Sequence, residues 1–319
     1  MASGVAVSTI LPAQAGGWRA VGSRTPGWGK MKNNVVIATH HKTGTVWMAT
    51  VFKAIAEDLG ATYVDYWAER ENLAEALKPP FVLFNYDSDF RGHSDLLDRD
   101  DVRILHLIRD PRDVLISAMH YHCKFGETWL HEPVPGYDNI TYQRRLNAFA
   151  ARHEQYVFEM ENSTFSTLRD MQQWRYGRTN CFEARYEKMR LDTEMKYWSG
   201  IMDFLGFDAA EQQVCRRRFW QYSLFGNLGR GHKHVRSGDV AQWKREFTPT
   251  LAAAFRWKFP RLLQSLGYEP DDRWVGRVKG PRPSPNSNSA PGTRGPVSLL
   301  KRIAGRPWER FKAVANQSA

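Results

Sequence analysis

The sequence predicts an α/β fold of three layers, in which a central parallel sheet is flanked by helices on both faces. Short apolar runs with the length of buried strands alternate with longer segments of helical periodicity, and this alternation is typical of parallel sheets. The first apolar run ends in a short polar turn that leads directly into a helical pattern. This strand, loop and helix predict a phosphate-binding arrangement like that of the P-loop kinases.

The predicted elements follow one another in a regular order. Apolar runs predict strands at 35–39, 62–66, 81–85, 104–108 and 180–184. Apolar residues spaced three or four apart predict helices at 46–59, 114–122, 142–161, 164–176, 193–205, 211–222 and 249–266. Gly60 and Gly267 follow the first and the last of these helices, where glycine commonly ends a helix.

Composition divides the chain into three parts. Residues 1–30 are rich in Gly, Ala and Ser without strong periodicity, which predicts a flexible N-terminal arm, and residues 31–275 form the predicted folded domain. From 276 to 319 a Pro-, Ser- and Asn-rich linker precedes a basic, weakly amphipathic tail. Such a tail suits peripheral contact with an anionic membrane surface or a partner, and a solvated tail is the alternative.

Charge is concentrated in that tail. Residues 276–319 carry nine Lys or Arg and one Glu, so +8 of the formal net charge of +11 lies there and +3 remains for the rest. The folded domain is therefore only mildly basic, which argues against a broad nucleic-acid surface. We expect no nucleic-acid partner, and a local basic pocket for a small polyanion is sufficient.

Cysteine usage and hydropathy point to the cytoplasm. Cys123, Cys181 and Cys215 are widely spaced and form no C-x-x-C pair, which fits a reducing compartment and gives no sign of a zinc site. No apolar run reaches the ~18 residues that a membrane span needs. The first thirty residues lack the pattern of a secretory signal.

The turn after the first strand predicts an oxyanion site. Backbone N–H groups at a helix N-terminus attract anions, and the glycine lets a ligand approach the backbone closely. A lysine adds a point charge and two threonines add hydroxyl donors. The lysine precedes the glycine and no glycine lies five residues upstream, so this is not the Walker A pattern. The turn consists of Lys42, Thr43, Gly44, Thr45, Val46 and Trp47.

A second basic segment follows the strand at 104–108. Arg109 and Arg112 stand at the strand end, and Pro111 suits the first turn of the next helix. Ser117 lies eight residues after Arg109, about two helical turns on, so a guanidinium and a hydroxyl can converge on one phosphate. The alternative is that both arginines pair with the neighbouring aspartates.

These segments resemble motifs of the sulfotransferases that use 3′-phosphoadenosine 5′-phosphosulfate (PAPS). The turn at Lys42 is similar to the family's 5′-phosphosulfate loop, and the run from Arg109 to Ser117 is similar to its 3′-phosphate motif. A third segment, 236–248, is similar to the C-terminal signature, with Ser237 where cytosolic members carry lysine. A fourth, at Tyr186, resembles the strand end whose tyrosine contacts adenine.

The resemblance implies a catalytic domain at 31–275 that moves a sulfuryl group from PAPS to a hydroxyl or amine by in-line transfer, without a metal. Lys42 would stabilise the bridging oxygen of the leaving phosphate. Trp47 and Phe225 would flank the adenine, since aromatic side chains stack on bases. The implied cofactor-binding residues are Lys42, Thr43, Gly44, Thr45, Val46, Trp47, Arg109, Ser117, Tyr186, Phe225, Arg236, Ser237 and Gly238.

The general base is the part in which this sequence departs from the family. Cytosolic relatives place a histidine after the strand that precedes the 3′-phosphate strand, and here Asp87 stands at that strand end. We predict Asp87 as the base, with His93 second and Asp65 or Glu69 behind them. The alternative role for Asp87 is to cap the following segment. Two further histidines, at 120 and 122, are either structural or face the acceptor.

Two other functions compete with catalysis of sulfuryl transfer. A non-catalytic protein that binds PAPS or its product, 3′-phosphoadenosine 5′-phosphate (PAP), would tolerate Ser237 and the missing histidine. A nucleotide kinase would need a Gly-Lys pair followed by a metal-binding hydroxyl, which the loop lacks. The acceptor is expected to be a small molecule, a lipid or a carbohydrate, and the aromatic residues between 121 and 142 favour a flat or apolar one.

Overall fold

The computed structural model describes residues 31–125, 127–134, 139–226 and 237–280. The strands are β1 (Asn34–Ala38), β2 (Thr62–Asp65), β3 (Phe81–Asn85), β4 (Val102–Ile108) and β5 (Cys181–Arg185). The α-helices are α1 (Thr45–Leu59), α2 (Leu73–Ala76), α3 (Pro111–Lys124), α4 (Tyr142–Asn147), α5 (Arg152–Glu161), α6 (Ser163–Gln173), α7 (Tyr186–Leu191), α8 (Lys196–Leu205), α9 (Ala209–Tyr222), α10 (Trp243–Glu246), α11 (Pro249–Lys258) and α12 (Leu262–Ser265).

The five strands form one parallel sheet in the order β2-β3-β1-β4-β5. The chain leaves β1 toward β2 and β3 on one side and continues with β4 and β5 on the other. The carboxyl ends of β1 and β4 therefore flank the switch point of the sheet, where open parallel sheets bind ligands. The predicted fold class and all five predicted strands are confirmed.

Helices cover both faces of the sheet because the strands are apolar on both sides. Val35 and Ile37 of β1 pack into a buried cluster with α1, α8 and α9, whereas Val36 and Ala38 point into a different buried cluster on the opposite face. All five residues of β1 are buried. A third cluster joins α3, α5, α6 and α11 beyond the end of β4.

Two predicted helices are interrupted. The expected helix at 249–266 breaks between α11 and α12 at Pro260, which has no N–H to donate, and Arg261 adopts a left-handed φ of 62°. The expected helix at 142–161 is two helices, α4 and α5. No helix breaker occurs at 148–151, and the turn there brings Phe149 against Phe158, with ring centroids 5.4 Å apart.

The expected helix at 193–205 begins at Lys196, three residues late. The carboxylate of Asp192 accepts hydrogen bonds from the backbone N–H groups of Tyr197 and Trp198 and so replaces the missing helical partners. The arm predicted at 1–30 and the linker and tail from 281 to 319 lie outside the described residues. No helix in the described part of the chain is both long and apolar enough to cross a membrane.

Candidate active site

The loop between β1 and α1 is shaped by the carbonyl of its first histidine. The hydroxyls of Thr43 and Thr45 each donate to the backbone oxygen of His40 at 2.8 Å, and the N–H of His40 donates to the Thr43 hydroxyl at 3.0 Å. The hydroxyls of Thr43 and Thr45, which the sequence predicts to contact a ligand, thus make hydrogen bonds within the loop. The expected contacts of these threonines with the cofactor stay a prediction.

Gly44 opens the N-terminus of α1. Its φ of 108° lies in the region that favours glycine, and no side chain of the described residues caps the helix there. A Cβ on this residue would lie 3.2 Å from Cδ2 of Tyr186 and 3.4 Å from Cδ2 of Leu107. The backbone N–H groups of the first turn are therefore available to an anion, with the helix dipole behind them.

Lys42 precedes this helix end, and burial and nearby carboxylates have opposite effects on its pKa. It adopts a left-handed φ of 65°, and its Nζ lies 3.5 Å from the ring centroid of Tyr121. Burial, with a smaller contribution from Arg109, lowers the pKa of Lys42 to about 8 against the opposing effect of the Glu127 and Glu159 carboxylates. A bound anion would favour the charged form of this ammonium.

Arg109 is a buried guanidinium that forms no ion pair with a carboxylate of the described residues. Its Nη1 donates to the backbone oxygen of Lys42 at 3.1 Å and its Nη2 to that of Asp239 at 3.2 Å. The group lies over the ring of Tyr186 at 4.4 Å, and its Nε is buried without a hydrogen-bond partner. A buried cation without a counter-ion is costly, so this arrangement suits an anionic ligand.

Arg112 has a different environment from Arg109. Its guanidinium pairs with Asp110 at 2.7 Å and with Glu269 at 2.8 Å, and it lies 3.6 Å from the ring centroid of Trp243. The alternative that arginines at this strand end pair with aspartates therefore holds for Arg112 and not for Arg109. Asp113 instead accepts from the backbone N–H of Trp243, and burial raises its pKa to about 6.

The hydroxyl of Ser117 makes no hydrogen bond with any residue that the structure describes, and the side chain is partly buried. It lies two turns into α3, as the spacing predicts. Its hydroxyl is thus available to a ligand.

The segment after residue 236 folds back onto the two phosphate motifs. The carbonyl of Gly238 accepts from the hydroxyl of Tyr186 at 3.3 Å and from Nε of Arg190 at 3.0 Å. Gly238 has a φ of 64°, and a Cβ there would lie 2.1 Å from Leu224. The hydroxyl of Ser237 accepts from the N–H of Asp239. Arg236, a predicted ligand of the 3′-phosphate, lies outside the described residues.

Aromatic residues gather beside the loop, as the predicted adenine site requires. Trp47 lies edge-on to Tyr186, with ring centroids 6.3 Å apart, and its Nε1 is buried without a hydrogen-bond partner. Trp47 also packs on Phe219 at 5.1 Å, and Phe225 packs on the same ring at 6.1 Å. The three predicted adenine contacts thus share one aromatic cluster.

Comparison with known proteins identifies the family. A profile of the family described as the sulfotransferase domain matches residues 32–267, which is most of the chain. The chain belongs to the sulfotransferase family. A search of curated proteins finds no match to this sulfotransferase.

Solved structures agree with the fold. The crystal structure of mouse sulfotransferase SULT7A1 complexed with PAP is 17% identical, with a TM-score of 0.51, over 78% of this chain and 89% of that one. Retinol dehydratase in complex with androsterone and inactive cofactor PAP is 16% identical, with a TM-score of 0.43, over 74% and 82%. The likeness to the mouse enzyme supports the fold alone, and the family assignment rests on the sequence profile.

The predicted base Asp87 takes part in the turn after β3 of this sulfotransferase. Its Oδ1 accepts from Nε1 of Trp67 and from the backbone N–H of Asp89, both at 3.1 Å. The carboxylate thus serves in part to shape the turn, as the alternative interpretation holds. His93 places its Nδ1 3.2 Å from the hydroxyl of Tyr66.

The remaining carboxylate candidates are exposed. Asp65 accepts from the backbone N–H groups of Trp67 and Ala68, in a turn that follows β2. Glu69 is also exposed.

A second pair of ionisable groups lies close to Lys42. His122 of α3 places its Nδ1 3.0 Å from Oε2 of Glu159 on α5, and both side chains are fully buried. The ring of His41 stacks on His122, with centroids 5.2 Å apart and planes inclined by 13°. Burial, with smaller contributions from His122 and Lys42, holds the pKa of His41 well below its usual value.

Sequence reasoning missed Glu159 and gave no role to His41. The carboxylate is 37 residues from His122 and on another helix, so no local spacing indicates the pair. His41 stands next to Lys42 in the sequence, which is the one signal that could have found it. His120, the other histidine considered, pairs with Glu246 at 2.9 Å.

Proposed function

We propose that this sulfotransferase moves a sulfuryl group from PAPS to a hydroxyl or amine of a small acceptor by in-line transfer, with Lys42 at the leaving oxygen. The observation that carries the proposal is Arg109, a buried guanidinium beside the Lys42 loop that forms no ion pair with a described carboxylate and has an unpartnered Nε. Together with the uncapped helix end at Gly44, it supports the binding of a ligand with two anionic groups.

The residues present fit PAPS, which when bound supplies the sulfuryl group and a phosphate leaving group. The backbone N–H groups from Gly44 to Val46 would hold the phosphosulfate at the helix N-terminus, whereas the N–H of Thr43 donates to the His40 oxygen. Arg109, Ser117 and the Gly238 segment would hold the 3′-phosphate, together with Arg236 and Ser237 from the sequence motif. Trp47, Tyr186 and Phe225 would surround the adenine.

Lys42 is suited to act at the point where negative charge develops. Its pKa of about 8 leaves the ammonium largely charged at neutral pH and only weakly stabilised by the protein. Negative charge develops on the leaving oxygen in the transition state, so the ammonium would interact with it more strongly there than in the ground state. This difference lowers the barrier to transfer. No metal is assigned to the reaction, and this remains a prediction.

The surroundings of Lys42 favour a flat acceptor. The Lys42 ammonium lies over the ring of Tyr121, and this ring stacks on Phe125 with centroids 5.1 Å apart. On the other side of the sheet's switch point, Tyr86 packs on Trp67 at 5.8 Å and is partly exposed. A small aromatic or polycyclic hydroxyl compound suits these walls better than a free sugar, and lipid or carbohydrate acceptors are the alternatives.

Calorimetry tests the proposal. The purified protein should bind PAPS and PAP with comparable affinity and show no binding of ATP, which lacks the 3′-phosphate. With labelled PAPS, Lys42→Ala should abolish transfer to a panel of phenols, alcohols and amines while PAP affinity changes by less than tenfold. A non-catalytic binding protein is the second candidate, and it would bind both nucleotides and transfer nothing. Absence of PAP binding would overturn both.

The tail at 276–319 is proposed to give peripheral membrane contact, on its charge of +8 alone. Co-sedimentation with phosphatidylserine vesicles should fall on deletion of this segment. Equal sedimentation of both proteins would contradict the contact, and a cytoplasmic location stays a prediction.

A further inference from the structure

The pair of His122 and Glu159 lies deep between three helices. Besides His122, the Glu159 carboxylate accepts from the hydroxyl of Tyr142 at 2.9 Å and from that of Thr164 at 2.8 Å. No Lys or Arg of the described residues forms an ion pair with it. The carboxylate can only accept, so Nδ1 of His122 donates to it, which fixes the tautomer with the lone pair on Nε2.

The Nε2 lone pair of His122 has no hydrogen-bond partner among the described residues. Nε2 of His122 is buried and makes no hydrogen bond with the described residues, and the same is true of Nε2 of His41, on the ring stacked against it. Buried side-chain nitrogens without partners are uncommon in folded proteins, and a ligand or an ordered water is one way to complete their hydrogen bonding. The two open nitrogens belong to adjacent rings, so one ligand group can serve both.

The pair is electrostatically coupled to Lys42. Glu159 raises the pKa of Lys42 against the effect of burial, so its charge is felt at the ammonium. His41 precedes Lys42 in the chain, and Tyr121, which carries the Lys42 ammonium 3.5 Å from its ring centroid, precedes His122. His41, which stacks on His122, and Tyr121, which lies beneath the Lys42 ammonium, thus link the imidazole to the residue that would meet the leaving oxygen.

We propose that His122, held by Glu159, is the general base that takes the proton of the acceptor hydroxyl. The inference rests on the proposed sulfuryl transfer. As the new bond between the acceptor oxygen and sulfur forms, the bond from sulfur to the phosphate oxygen breaks and its electron pair stays on that oxygen, beside Lys42. The proton passes from the acceptor to Nε2, and the imidazolium later returns it to solvent.

Of the two stacked rings, His122 is the one that can keep the proton. His41 has no carboxylate partner among the described residues, and burial, His122 and Lys42 all disfavour its charged form. His122 has the Glu159 carboxylate 3.0 Å from its other nitrogen, which stabilises an imidazolium. The groups that contact His122 are His41 from the loop, Tyr121 from α3, Trp129, Tyr142 from α4 and Glu159 from α5.

The transfer rates to two phenols distinguish a general base from a structural residue. His122→Asn keeps a donor at the position of Nδ1 and removes Nε2. With PAPS, it should lower kcat for an unactivated phenol, with a pKa near 10, by about 100-fold or more. Its kcat for 4-nitrophenol, largely ionised above neutral pH, should change by less than about threefold because that acceptor needs no base. Equal losses for both phenols would mean a structural role and overturn the proposal.

Matched variants complete the test. His120→Asn alters the other histidine–glutamate pair on α3 and should leave both rates unchanged. Asp87→Asn should slow both phenols alike or neither, and a loss confined to the unactivated phenol in this variant would assign the base to Asp87 instead. PAP affinity should be unchanged in all three. Failure of PAP binding by the unmodified protein would overturn the proposed function itself, and that outcome is distinct from these.

A spectroscopic measurement needs no acceptor. In ¹⁵N-histidine spectra of the whole protein, the His122 signal is identified by its loss in His122→Asn. In its neutral form the ring should show a protonated Nδ1 and an unprotonated Nε2. An Nε2-protonated tautomer would overturn the assignment whether or not either phenol is a substrate.

Discussion

The guanidinium of Arg109 lies flat over the ring of Tyr186, 4.4 Å from its centroid, while its outer nitrogens donate to the backbone at Lys42 and Asp239. One side chain from the end of β4 thus ties together the loop after β1, the start of α7 and the segment after residue 236. The three motifs are far apart in sequence, and Arg109 is the residue through which they meet.

Replacement of Arg109 should weaken nucleotide binding. Hydrogen bonds to charged groups contribute about 1.5–3 kcal/mol, so Arg109→Ala should raise the Kd for PAP about 10–100-fold. Arg109→Lys should recover little of this affinity because an ammonium cannot reproduce the planar fork that reaches two carbonyls. Calorimetric titration with PAP measures the change. The exposed Arg245, which pairs with Asp239, is the control, and a similar loss in Arg245→Ala would contradict the assignment.

Gly44 should tolerate no side chain. Gly44→Ala places a Cβ 3.2 Å from Tyr186 on a backbone with a φ of 108°, and we expect a loss of about 1–2 kcal/mol in the free energy of unfolding together with weaker PAP binding. Chemical denaturation and calorimetry measure the two effects. Gly200 on α8 offers the matched control, since nothing lies within 4 Å of its added Cβ. Gly200→Ala should keep binding intact and leave stability equal or slightly higher, and the same loss in both variants would argue against a role for the loop.

The sequence alone was sufficient for the sheet and for the turn that joins β1 to α1, because both are local patterns. An apolar run such as β1 and the Lys-Thr-Gly-Thr turn after it depend on neighbours a few residues away. The roles of Arg109 and Arg112 could not be separated in this way. Both follow β4, and only the fold brings Glu269, 157 residues away, into an ion pair with Arg112 while Arg109 forms none with the described residues.

The pairing of His122 with Glu159 could not be predicted from the sequence for the same reason. Its two residues lie on different helices, and the expected continuous helix at 142–161 is in fact two helices, α4 and α5. The break lets the Tyr142 hydroxyl at the start of α4 donate to the carboxylate of Glu159 near the end of α5, at 2.9 Å. Such contacts arise from tertiary packing, which local propensity does not encode.

Arg112 should matter for folding. Arg112→Ala leaves the carboxylates of Asp110 and Glu269, both largely buried, without their cation, and breaking a buried pair in this way costs about 3–5 kcal/mol of the free energy of unfolding. Urea denaturation at neutral pH measures the loss. A stable Arg112→Ala protein with lost PAP affinity would instead place this arginine in the nucleotide site.

Lys42 should lower the stability of the protein while serving its function. Its pKa is about 8 in the folded chain against 10.5 for the unperturbed group, so between these values the unfolded chain binds more protons and stability rises with pH. Below pH 8 the buried charge is a constant cost, and Lys42→Met should raise the free energy of unfolding at pH 7 by about 1–3 kcal/mol. The advantage should disappear as the pH approaches 10.5. Denaturation curves of both proteins from pH 7 to 10.5 measure it, with the exposed Lys53→Met as the control, and a pH-independent difference would show that burial of the charge is not the cause.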